Sequence, residues 1–127
     1  MPFEWKSFLG LARDLYVDAD KSGHPEACRR TAISRAYFAA FCHARNYAIE
    51  FLHFAPRDDP DDHGRLRAHL KAKRRAGDAA RLDQLRQWRN GADYDDDLGS
   101  VDLSFTVLSA ITEAQKVFDS LVPPVKR

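Results

Sequence analysis

Ser34-Arg35-Ala36-Tyr37-Phe38-Ala39-Ala40-Phe41 is the stretch that decides the fold. It sits inside a segment that begins at Pro25 and runs to Leu52 or Phe54, with apolar residues recurring every three or four positions, the period of an α-helix. Ile33, Tyr37, Ala40, Phe41, Ala44, Ala48 and Phe51 share one face, while Phe38, Cys42 and Ile49 form a second strip further round. A helix apolar on two sides is either central in its own bundle or shared with a second subunit. Alanines at 36, 39, 40 and 44 allow other backbones to come close. Pro25 suits the first helical position, where its missing N–H costs nothing, and Glu26 favours the positive end of the helix dipole.

Working outward, residues 3–20 place Trp5, Phe8, Leu9, Ala12, Leu15 and Tyr16 on one stripe of a first helix, which Lys21-Ser22-Gly23 breaks. Ala55 to Asp62, with two prolines and four carboxylates, reads as a solvated loop. A short basic helix is expected from His63 to about Ala76, anchored by Leu66 and Leu70 and ended by Gly77. Asp78 then reads as the N-cap of a fourth helix whose Leu82, Leu85 and Ala92 share a face, with Gly91 and the run DYDDDLGS interrupting the chain. A last helix, about 101–121, is expected to bury Phe105, Leu108, Ile111 or Thr112, Ala114 or Gln115, and Phe118. Nothing alternates as a strand would, so the expectation is an all-α, up-and-down bundle of four main helices and one short one, formed as a single domain over residues 1–127.

The composition agrees. A chain of 127 residues, 44% hydrophobic and 31% charged, has enough apolar surface for one core and too much charge for a membrane protein. Its longest apolar run, Ala36 to Cys42, falls far short of the ~20 residues that span a bilayer. MPFEWKSF offers no apolar run of the kind a signal peptide needs, so a cytoplasmic, prokaryotic protein is expected. Cys28 and Cys42, fourteen positions apart on one helix, stand roughly 21 Å apart and cannot bridge. No histidine lies at zinc spacing from either, so neither metal nor cofactor is implied.

Net charge is +1 but unevenly spread: His63 to Arg89 carries nine Lys and Arg against Asp78 and Asp83. Arg65, Lys71, Arg74 and Arg75 are the candidate anion or nucleic-acid contacts in that run, against the alternative of an ordinary solvated face. Arg89 falls on the apolar face of the fourth helix. It either snorkels, or pairs with Asp93, or lines a cleft and holds a phosphate in its planar fork. Of the five histidines, His63 and His69 lie in the basic segment and are the first candidates for any acid–base role.

Together, SRAYFAAF on a long second helix and Trp88-Arg89-Asn90-Gly91-Ala92-Asp93-Tyr94 at the end of a later one resemble the HEPN superfamily of small helical bundles. The nearest pattern is the branch whose late motif reads R-x-x-A-D-Y. The resemblance implies a homodimer, a toxin–antitoxin or defence setting beside a nucleotidyltransferase partner, and a site at Arg89, Asn90 and Tyr94. In RNA-cleaving members the motif is R-x(4-6)-H. Arg89 and Asn90 match its start, but Tyr94 occupies the histidine's place, and a phenol with an ordinary pKa near 10 is a poor base at neutral pH. Binding of RNA, a nucleotide or a partner protein is therefore expected in preference to cleavage, the alternative being an active metal-independent endoribonuclease.

Overall fold

The structure, a computed structural model, describes residues 2–124, and among them there is no strand. Five α-helices follow in order: α1 (Lys6–Asp18), α2 (Pro25–Phe51), α3 (Asp62–Ala72), α4 (Ala76–Tyr94) and α5 (Leu103–Ser120), with a single 3₁₀ turn at Ala19–Lys21. The all-α bundle of four longer helices and one short one is as the periodicity predicted.

α2 is the axis of this bundle, in contact with each of the other four helices. Its alanines at 32, 36, 39, 40, 44 and 48 are wholly buried, which is what lets neighbours close in on several sides at once. The second apolar strip is only partly covered within the chain: Cys42 is buried and Phe38 packs half-buried against the core, while Ile49 is exposed. Tyr37 and Phe41 are buried, and both rings lie against His63 of α3. Phe51 is only half-buried, tilted against Tyr47 near the end of the helix.

Other expectations shift for identifiable reasons. α3 stops at Ala72, not at Ala76, because Arg74 enters the left-handed region (φ 64°) and the N–H of Arg75 donates to the carbonyl of Leu70 at 2.8 Å. This closure usually recruits glycine, and here an arginine takes the strained position. Gly77 is consequently a residue of α4. Asp78 is no N-cap either: it is buried in the first turn of α4, accepting from the Ser120 hydroxyl at 2.7 Å and pairing with Arg81. Gly91 does not interrupt α4, which continues to Tyr94. The acid that caps α5 is Asp102, whose carboxylate accepts from the Phe105 N–H.

The buried face of α5 is Val107, Ala110, Ile111, Ala114 and Val117, with Leu121 just beyond it, so the expected stripe was drawn too far round. Phe105 is 68% exposed and Leu108 is 47% exposed. Replacing Leu85, which is fully buried, by Ala is expected to cost about 2–5 kcal/mol through lost contacts and a residual cavity. Phe105→Ser is expected to stay within about 0.5 kcal/mol of the wild type, as surface changes do. Urea unfolding of both variants checks the register, and a large loss for Phe105→Ser would contradict it.

Candidate anion site around Tyr37, His63 and Arg89

Leu82, Leu85 and Ala92 hold α4 against the core, and Arg89 lies on the same face, half-buried. Its guanidinium carbon is 5.2 Å from the ring centre of Tyr37 and 6.0 Å from that of Tyr94, so the fork lies between a core phenol and a surface one. Its Nε is buried with no hydrogen-bond partner. Arg89 makes no ion pair among the described residues; Asp93, the partner expected four residues on, instead accepts from the buried Ser34 hydroxyl at 3.1 Å. The early and late stretches of the sequence therefore meet twice, Ser34 with Asp93 and Tyr37 with Arg89.

The third participant comes from α3. Tyr37 forms a hydrogen bond with Nδ1 of His63, whose ring stacks on Phe41 at a centroid separation of 3.9 Å and 8° between planes. His63 is held there by the residue before it. Asp62 is buried, and its carboxylate accepts from the N–H groups of Arg57 and Asp58 and from the guanidinium of Arg65. The loop before α3, read as fully solvated, is thus organised by one of its own carboxylates. The two backbone donors and Arg65 hold the Asp62 carboxyl below the usual carboxylate range.

The electrostatics follow from burial and from nearby cations. Burial pushes the Tyr37 phenol up to about 12, opposed by the charges of Arg89, Arg67 and Arg86. Burial also lowers the pKa of His63, with Arg89 and Arg67 acting in the same direction, Asp62 opposing, and Arg45 adding to the depression. Near neutral pH both groups are uncharged. The phenol O–H can then donate to Nδ1 with the ring hydrogen on Nε2, and the other tautomer can equally donate its Nδ1–H to the phenol oxygen. Nε2 has no hydrogen-bond partner among the described residues.

Of the residues proposed from sequence, Arg89 and Tyr94 come together, and Asn90 follows on α4, half-buried. The basic run is differently disposed. Arg65 is committed to Asp62 and the Ala55 carbonyl, and Arg75 donates to the Tyr47 hydroxyl at 3.1 Å. Lys71 and Arg74 are exposed. The α3 residues whose charge reaches the Tyr37–His63 pair are not these four but Arg67, which also lines a groove of about 370 Å³ between α3 and α4 with Lys71 and Asp83. His69 is occupied structurally, bonded to the Leu52 carbonyl, and His43 likewise to the Leu121 carbonyl. Arg67 and Tyr37 had no functional role in the sequence reading. The one signal for Tyr37 was a polar-tipped ring on an otherwise alanine-rich face, which must find a partner when buried. Comparisons with protein-family models, curated proteins and solved structures give no match to this chain.

These shifts set a pH dependence of stability. For His63 and His43, whose folded pKa values lie below the ordinary 6.5, the unfolded chain binds protons first as pH falls. Stability contributed by their neutral forms is complete above that value and declines below it. Asp62 acts in the same direction further into acid. Tyr37 acts at the other end, where stability declines as pH rises above 10 towards 12. The urea midpoint is expected to fall on acidification below about pH 6.5, and to fall less in His63→Gln. An identical acid limb in the two proteins would show that His63 is not held neutral by the fold.

Proposed function

We propose that the protein binds RNA by its phosphate backbone at Arg89, with Asn90 and Tyr94 beside it, and that it does not use Tyr94 to cleave the strand. The observation that carries this reading is a half-buried guanidinium between two phenol rings with no carboxylate to neutralise it. A buried cation without a counter-charge costs free energy that a ligand anion offsets, and a planar fork suits phosphate oxygens. The guanidinium forms no ion pair among the described residues, so its charge is left for such a ligand. Arg67 and Lys71 in the neighbouring α3–α4 groove extend the positive surface along which a strand would track.

The likeness of the early and late stretches to HEPN proteins supports the same choice of ligand, and with it a homodimer working beside a nucleotidyltransferase in a toxin–antitoxin or defence setting. The surface proposed for self-association is the one beside Arg89, where Tyr94 is 72% exposed. Light scattering at tens of micromolar tests it, and a monomer alone would refute it.

Binding to a short RNA is expected to weaken steeply with salt, and Arg89→Ala to cost about 1–3 kcal/mol, the scale of a hydrogen bond to a charged group. Fluorescence anisotropy at several salt concentrations reads both. Affinity indifferent to Arg89 would overturn the assignment. Cleavage is expected to be absent in the wild type. The alternative, an endoribonuclease, predicts metal-independent cleavage that Arg89→Ala abolishes, and Tyr94→His is the variant in which it should be strongest.

A further inference from the structure

Three groups from three helices meet at one phenol. Tyr37 of α2 holds the imidazole of His63 from α3 by its hydroxyl and carries the guanidinium of Arg89 from α4 over its ring. Neither the imidazole nor the guanidinium forms an ion pair with an acid among the described residues. We propose that His63 and Arg89 form a single phosphate subsite bridging α3 and α4, and that His63 takes up a proton as the phosphate group binds. The proposal rests on the anion-binding reading of Arg89 given above and adds to it a second ligand-contacting residue and a coupling to pH.

Burial first, and then the charges around His63, disfavour the proton while no ligand is bound. Arg89 on α4, Arg67 on α3 and Arg45 on α2 all repel it, and the stacked face of Phe41 gives no compensation. Asp62 is the one acid acting on the ring, and its oxygens are already committed to Arg57, Asp58 and Arg65. A phosphate monoanion between the two helices reverses the sign of the local field and favours imidazolium. The contact to Tyr37 survives the change. Once Nδ1 also carries a hydrogen it becomes a donor, and the Tyr37 oxygen has lone pairs to accept it while its own hydrogen rotates away. No covalent bond is made or broken; one proton moves from solvent to the ring, where Nε2–H faces a phosphate oxygen and Nδ1–H faces the phenol.

Two measurements test this. The first follows a fluorescent RNA oligonucleotide by anisotropy at constant ionic strength from about pH 8 to about pH 5.5, with the wild type, His63→Gln and Arg89→Ala. Wild-type affinity is expected to rise several-fold over that range, as about one unit of upward pKa shift on binding requires, and His63→Gln is expected to lose most of that rise and to bind no more tightly than the wild type at about pH 8. Arg89→Ala is expected to bind more weakly throughout. The second follows the His63 imidazole signal by NMR in the unmodified protein, so that it does not depend on any variant folding. Its titration midpoint is expected to move upward when RNA is added. If RNA binds through Arg89 but the His63 midpoint does not move, or His63→Gln keeps the full pH dependence, the subsite is wrong and the Arg89 reading stands. If RNA binds at no pH, or Arg89→Ala leaves binding unchanged, both fall.

Discussion

Everything in this bundle is arranged around the hydroxyl of Tyr37. α2 is surrounded by four helices, and it tolerates that crowding because most of its buried positions are alanine. Tyr37 is the largest fully buried side chain of the structure, and it brings a polar atom into that interior. Such an atom must be hydrogen-bonded or its desolvation is uncompensated, at a cost of about 1–3 kcal/mol. The partner is His63, so the start of α3 is tied to the middle of α2 by chemistry as well as by packing. The short helix α3 has few apolar anchors, chiefly Leu66 and Leu70, which makes this polar tie proportionately important to where it sits.

A consequence is that the polar requirement of the core and the candidate site coincide. Tyr37 is neutral because it is buried, and its bond to Nδ1 leaves Nε2 as the His63 ring nitrogen without a hydrogen-bond partner among the described residues. Arg89 can approach the same ring because a phenol face accepts a cation without demanding a hydrogen bond. None of these side chains needs a ligand to hold its place. A site whose groups are positioned by core packing is pre-organised, and little ordering entropy remains to be lost when an anion arrives.

Much of the fold was legible in the sequence because helical periodicity is local. The stripe of α1, the start of α2 at Pro25 and the buried face of α4 all follow from spacing alone. What misled was punctuation. Gly77 and Gly91 looked like breaks, yet both lie inside α4, while the true end of α3 uses Arg74 in a conformation that glycine favours. The expected stripe of α5 holds at Ile111, Ala114 and Phe118 but not at Phe105 and Leu108, because the helix carries apolar residues on its exposed side as well and periodicity cannot say which of two apolar strips faces the core. At the site, Arg89 was visible as a cation on an apolar face, and His63 only as one of two histidines in a basic segment. That they share Tyr37 is a tertiary fact, resting on a contact that spans 26 positions between Tyr37 and His63.

The acidic residues near Arg89 give the last step of the argument. Their sequence positions suggest that the basic segment is neutralised internally, but their geometry does not. Asp93 accepts from Ser34, and Asp83 receives Arg86 and Gln87 at hydrogen-bonding distance with Arg67 at 3.5 Å. Asp62 is spent on the loop before α3, and Asp78 on Ser120 and Arg81. Each of these four carboxylates is engaged in holding an element in place, and none pairs with Arg89. Since surface ion pairs contribute little to stability, a chain that only needed to balance charge could have placed a carboxylate there at small cost. Leaving the position without a carboxylate is what the proposed anion site requires, and in that proposal the proton on His63 is the adjustable part of its charge.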